Sequence, residues 1–362
     1  MTSTREVVDD LLRRIGSGDP DQIAAACADR VDWQLDWPEH WHGGPVPWVR
    51  HRSSRAEVAE GEGGSAETVR QLVRSHLPDY QVDSVAALGA GLDHAAYVVN
   101  GELIVRIDRH RDPAERAGRV ARECQLLEMV AAVSPLPVPR PVFSAAESGA
   151  LAYPRLAGRP FLDLPPGQRG TLAPTVAAAL GDLLAALHAV PADRLAGLIA
   201  PDDPPLIQWR DEAAHAYLVA ARHIPPGHRQ AIRGFLDSPP PPSEHPLVFS
   251  HNDLGLEHVL VDPALGQVTG VIDWSDAALV DPARDFGLIC RDLGPRALDI
   301  SLSRTGATPE AAAPLRARAI FYARCATLED LAYGCETGLA AYLRKSLASL
   351  TWLFPSTGHP TP

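Results

Sequence analysis

The sequence predicts an α+β fold in two lobes, a small β-rich half followed by a larger helical half, with a short α+β appendage in front. Three observations predict it. Short apolar stretches separated by turns run from Tyr80 to Asp108. From Thr171 onward apolar positions recur at helical spacing, broken by the proline run 239–242 and one hairpin at 251–273. The 362 residues suffice for roughly two domains of about 150 residues each.

Taken in order, residues 4–16 place Val7, Val8, Leu11, Leu12 and Ile15 on one helical face. Asp19 caps a second helix with Pro20 at its first position, and Val31–Trp37 alternates as a strand. Trp33, Trp37, Trp41 and Trp48 crowd this front segment. The polar, glycine-rich run 60–66 reads as a linker, so residues 1–64 form the appendage, 65–156 the first lobe and 157–362 the second. Glu67–His76 is helical. Tyr80–Leu88, Leu92–Val99 and Glu102–Asp108 are strands, the last two joined by the hairpin signal Asn100-Gly101. Asp112–Val133 is a helix, 135–143 a proline-stiffened extended segment, and Ala150–Leu156 a further strand.

Composition narrows the function. No uninterrupted apolar stretch approaches the ~20 residues of a membrane span, and residues 1–20 are too charged for a secretory signal. Five scattered cysteines predict a reduced, cytoplasmic protein. The net charge of −12 disfavours nucleic acid and suits a cationic small molecule. Lys345 is the only lysine, which excludes a lysine-bearing phosphate loop and all but excludes Schiff-base chemistry. Any cation on a nucleotide phosphate must therefore be Arg, His or a metal.

The stretch HNDLGLEHVLVDPALGQVTGVID, residues 251–273, carries most of the chemistry. It reads as loop, strand, turn, strand, and brings Asp253 and Asp273 to one end of a hairpin. One carboxylate can accept a hydroxyl proton, and the other, with His258, can hold a divalent metal. His258 contacts that metal directly or through water, or hydrogen-bonds Asp253. Gly89-Ala90-Gly91 lets backbone approach phosphates, the alternative being a plain turn. Arg106, in the apolar strand LIVRID, needs a partner, and Glu123 on the next helix is the natural one. Asp281 and Asp285 cap or tether the helix after the hairpin, and His188 is structural.

These pieces, in this order, resemble the aminoglycoside phosphotransferase family, a branch of the protein-kinase-like fold. The likeness runs from about Ser65 to the C-terminus through the Gly89–Gly91 loop, Arg106, Glu123, PVPRP, PRLAG (154–158), HNDLGLEH, VIDW and DPARD. It implies Asp253 as catalytic base and Asp273 as the Mg²⁺ ligand. It also implies Arg106 on the phosphates of ATP or GTP, and the Tyr153–Arg155 backbone on the nucleobase. His258 stands where most of the family has Asn, as in macrolide-kinase-like members, and Asn252 replaces the usual Gly. Residues 1–60 resemble the opening half of a polyketide-cyclase-like (SnoaL-like) domain, read as a packing or dimerisation appendage.

The resemblance implies a small-molecule kinase acting on an aminoglycoside- or macrolide-type antibiotic. A metabolic kinase, or a silent nucleotide- or ligand-binding protein, is the alternative. Glu329, Asp330, Tyr333 and Glu336 are candidate walls of the acceptor site. Glu329, Tyr333 and Glu336 share one helical face, which suits an amine or is an ordinary solvated face.

Overall fold

The computed structural model describes the backbone of residues 55–90, 94–110 and 112–356. The expected helices at 4–16 and after Asp19, the strand Val31–Trp37 and its tryptophans lie outside these residues. Helix α1 (Arg55–His76) runs through residues 60–66, so the linker reading is corrected there. Glycine costs a helix roughly 1 kcal/mol per residue and does not forbid it.

The chain divides into two compact units. One joins residues up to Cys124 with Arg140–Arg155; the other joins Gln125–Pro139 with Leu156 onward. The first holds α1, β1 (Val85–Ala90), β2 (His94–Val99), β3 (Leu103–Asp108), the opening turns of α2 (Pro113–Val133), β4 (Phe143–Ala145) and β5 (Ala150–Pro154). Its sheet is antiparallel in the order β1-β2-β3-β5-β4. Alternate residues of the strands, Tyr97, Val99, Leu103 and Val105, pack with Val69 and Val73 of α1 to make its core.

Asn100 and Gly101 take φ of 53° and 77°, the left-handed pair a two-residue hairpin turn requires. The Asn100 amide oxygen accepts the Asp83 and Ser84 N–H groups, and its nitrogen donates to the Gln81 carbonyl. That side chain takes the place of a strand partner, so β1 begins at Val85 and not at Tyr80.

The second unit holds the remaining described elements: β6 (Arg159–Pro160), α3 (Pro166–His188), α4 (Leu206–Ala220), α5 (Arg229–Leu236), β7 (Val248–Ser250), β8 (Val259–Asp262), β9 (Gln267–Val271), β10 (Ala278–Val280), α6 (Ala283–Leu293), α7 (Pro295–Ser303), α8 (Pro309–Thr337) and α9 (Ala340–Leu353). Strand β8 sits between β6 and β9, and β7 pairs with β10. Gly158, at φ 95°, brings its backbone against Val261 and Thr269; a Cβ there would collide with the Thr269 hydroxyl. The 23-residue α3 is long and apolar enough, by length and composition, to cross a membrane, although Arg169 and Asp182 interrupt it. It buries Val176, Leu180, Leu183, Leu184 and Leu187 inside the unit, as a core helix does.

Candidate active site

Strand β7 delivers the chain into the loop 251–258. His251 is fully buried; one ring nitrogen meets the Ile272 carbonyl at 3.0 Å, and the other accepts the Asp253 N–H at 3.3 Å. Those contacts fix the tautomer with the proton on Nε2. Burial keeps this imidazole below its ordinary pKa, the Asp285 charge opposing it.

Asn252 has φ 69°, the left-handed conformation that Gly adopts freely and Asn tolerates. Its side chain adds what Gly lacks. Nδ2 donates to Asp202 at 2.9 Å and to the Asp276 carbonyl at 3.0 Å, and Oδ1 accepts from Arg284 at 3.1 Å. Arg284 lies 3.9 Å over the Trp209 ring. The departure from Gly is thus a cross-brace between loop and helices.

The next residues place the candidate base. The Asp253 side chain is 42% exposed, and Asp273, just past the end of β9, is 45% exposed. His258, just before β8, stands between them: Nδ1 is 3.4 Å from Asp253 Oδ2 and Nε2 is 3.7 Å from Asp273 Oδ2. Nδ1 also donates to the Asp253 carbonyl at 2.7 Å. Hairpin pairing brings His258 to Asp273, because Val259 lies opposite Val271 and the Ile272 N–H donates to the His258 carbonyl at 2.9 Å. Burial lowers the His258 pKa, but the carboxylates of Asp253, Asp273 and Glu257 outweigh it and hold the imidazole above its usual value. Asp273 has φ 62°, a strained backbone for a residue with a Cβ.

Asp273 presents the kind of carboxylate oxygens that a hard divalent cation takes. Asp273 offers half-exposed carboxylate oxygens and His258 one nitrogen beside them, while no group of three or more His, Cys, Asp and Glu among the described residues could cage a metal alone.

Helix α6 holds the loop from below. Asp281 caps it, accepting the Ala283 N–H, and receives Arg318 at 2.7 and 3.2 Å. Asp285 accepts the N–H groups of Asn252 and Leu254, tethering the loop rather than the helix. His188 is structural, as read: it meets the Ser250 hydroxyl at 3.2 Å and the Phe286 ring edge-on, and burial drops its pKa to about 4.

The sequence reading missed a buried charge cluster in the same unit. The Lys345 ammonium contacts Glu257 at 3.1 Å and Asp330 at 3.1 Å, with Asp292 at 3.8 Å. Arg291 grips Asp292 at 2.8 Å twice and reaches Asp330 at 3.1 Å. Three carboxylates therefore share two cations. Asp292 is held down at about 2, where Arg291 and Lys345 overcome its burial. Asp330 is the surplus acid, raised by burial despite both cations. Asp330, a candidate wall residue, is a member of this cluster. The fourfold spacing of α8 could not reveal which flank faced inward.

Of the other wall candidates, Tyr333 is 47% exposed and Glu336 is exposed. Glu329 is not a solvated side chain: its Oε1 is buried without a hydrogen-bond partner, and burial lifts its pKa to about 7 against the pull of Arg284.

In the β-rich unit, Arg106 and Glu123 pair at 2.7 Å, as the sequence suggested. His94, unremarked there, stands 3.1 Å from the Arg106 guanidinium. Gly89 lies inside β1, opposite Ala96 and next to a register irregularity, rather than in a turn between strands; Gly91 lies outside the described residues. Strand β5 pairs with β4 only over Ala150–Ala152, short of Tyr153 and Arg155. The Arg155 N–H donates to the Glu102 carbonyl at 2.7 Å.

Comparison with known proteins gives a family and a fold. The APH phosphotransferase enzyme family model matches residues 84–320. The uncharacterized protein YcbJ of Bacillus subtilis (strain 168) is 50% identical over 38 residues, which is 10% of this chain and 12% of that protein. The match thus spans a small part of that relative's length. Among solved structures, the GDP and kanamycin complex of APH(2")-IIIa superposes with a TM-score of 0.58 at 19% identity, covering 78% of this chain and 97% of that one. Macrolide 2'-phosphotransferase type I gives 0.53 at 24% identity, covering 79% and 97%. Macrolide 2'-phosphotransferase MphH from Brachybacterium faecium gives 0.52 at 24%, covering 83% and 100%. At these identities the likeness is one of fold, two-lobed and protein-kinase-like. Because the family model spans well over half of its 362 residues, the chain belongs to the phosphotransferase enzyme family.

Proposed function

We propose that this protein is a small-molecule kinase, transferring the γ-phosphate of ATP or GTP to a hydroxyl of an amine-bearing acceptor of the aminoglycoside or macrolide class. One observation carries the reading: two half-exposed carboxylates meet across a single imidazole, 3.4 and 3.7 Å away.

Asp253 orients the acceptor hydroxyl and takes its proton as the oxygen–phosphorus bond forms and the bond to the nucleoside diphosphate breaks. His258 holds the Asp253 carbonyl through Nδ1–H, which fixes the base's backbone. Asp273, with His258 Nε2 directly or through water, would hold Mg²⁺. When bound, that ion supplies neutralisation of the phosphoryl oxygens. In the β-rich unit Arg106, aligned by Glu123, replaces lysine on the α- and β-phosphates. The Tyr153 and Arg155 segment serves the nucleobase. Glu329, Tyr333 and Glu336 serve the acceptor, with Glu336 the exposed carboxylate that suits an amine in a chain of net charge −12.

The GDP and kanamycin bound to APH(2")-IIIa support testing GTP beside ATP, and aminoglycosides first. The test is phosphate transfer to a panel of aminoglycosides, macrolides, amino alcohols, sugars and amino acids, with Asp253→Asn as control. Turnover of an antibiotic by the parent protein alone supports the reading. Turnover of a metabolite instead makes it a metabolic kinase. Nucleotide binding without any transfer makes it a binding protein.

A further inference from the structure

We propose that Lys345 is a positioning residue for phosphoryl transfer, acting through Glu257 and Asp292 to set the loop that carries Asp253 and His258. The inference rests on the kinase reading above.

A buried ammonium is a poor way to stabilise a helix. Taking charges out of water costs several kcal/mol per ion, and a well-packed apolar group at such a site is often neutral or better. At 4% exposure, Lys345 stands in helix α9 among Ser346, Ser349 and Leu350, which are also buried. A methionine would fill similar volume. What methionine lacks is direction.

The direction is aimed at the loop. Lys345 Nζ lies 3.2 and 3.1 Å from the two oxygens of Glu257, the residue directly before His258. The Glu257 carboxylate folds back over Gly255 so closely that a Cβ there would fall 2.7 Å from its carbon. One position earlier, the Leu256 N–H donates to Asp292 at 3.2 Å, and Arg291 holds both oxygens of that Asp.

Asp292 and Asp285 are seven positions apart on α6 (292 minus 285), so they share one face. Asp285 takes the N–H groups of Asn252 and Leu254. One helix face therefore holds both ends of the loop, and Lys345 clamps the end that leads into His258. No other lysine exists in the chain to replace it.

The experiment compares Lys345→Met, Lys345→Arg and the double variant Glu257→Met/Lys345→Met with the parent protein. The double variant removes the Glu257 carboxylate together with its ammonium, leaving Asp292 and Asp330 on Arg291, if the single one fails to fold. Turnover is measured on the acceptor found in the panel, together with amide hydrogen exchange across 252–258. For Lys345→Met we expect kcat down about ten- to a hundred-fold, the cost of an ångström-scale misplacement. Nucleotide KM should stay within about two-fold, and exchange at Leu254 and Leu256 should rise. Lys345→Arg should recover most of kcat. A folded Lys345→Met or double variant with parental kcat, or with unchanged exchange at both amides, overturns the proposal. If the parent protein transfers no phosphate, the kinase reading fails on its own, and hydrogen exchange still decides whether Lys345 orders the loop.

Discussion

Replacing Glu329 by Gln should stabilise the protein at neutral and alkaline pH and do nothing in acid. The carboxyl has a buried, unpartnered oxygen, and its pKa rises from an ordinary 4.5 to about 7. Burial is the main cause, because the charged form loses its hydration. The sign follows from linkage. The folded chain holds a proton that the unfolded chain releases above pH 4.5. Stability is therefore fully present below that value and falls as pH rises towards 7. A difference of 7 minus 4.5, at about 1.4 kcal/mol per unit, sets a ceiling of ~3.5 kcal/mol. Glutamine keeps the shape without the charge. Thermal melts of both proteins at about pH 4 and pH 8 should coincide in acid and separate by roughly 6–12 °C in base. Coincident melts at pH 8, or an equal gap at both pH values, would refute the argument.

The opposite slope belongs to His188. Its pKa, lowered to about 4 by burial, means the fold resists a proton that the unfolded chain binds below 6.5, so stability falls as pH drops from 6.5 towards 4. His188→Asn should flatten that acid limb in melts across the same range. Asp253→Asn should cut kcat by about a hundred- to ten-thousand-fold and leave nucleotide affinity within two-fold, read by steady-state assay and calorimetry. Asn252→Ala should lose more stability than Asn252→Gly, because only glycine accepts φ 69° without strain, by roughly 1 kcal/mol; equal melting temperatures for the two would contradict this. Arg106→Ala should weaken nucleotide binding about tenfold or more, leaving Glu123 without its guanidinium.

Much of this site was legible because it is local. His258 and Asp273 flank one hairpin, where antiparallel pairing of Val259 with Val271 brings them together, and Asp253 lies only five residues before His258. The Arg106–Glu123 pair was readable because a charge inside the apolar strand LIVRID demands a partner on the next element. The buried cluster was not readable. Its members at 257, 291, 292, 330 and 345 are spread over three helices and a loop, and each alone looks like a solvated charge. The cations that hold Asp330 were hidden for the same reason. The glycines near residue 63 pointed to a linker because composition reports propensity, while backbone hydrogen bonding continues the helix through them. Asn252 looked like a mild departure; only the positions of Asp202, Asp276 and Arg284 reveal it as a brace.

The enclosure of Lys345 has a practical corollary. Amine-directed reagents such as succinimidyl esters, biotin labels and lysine cross-linkers find no side-chain target on the outside of this polypeptide. Coupling through them would report on the terminal amine or on an opened helix α9, so slow acylation of this one site offers a clock for how often the C-terminal helix lifts away.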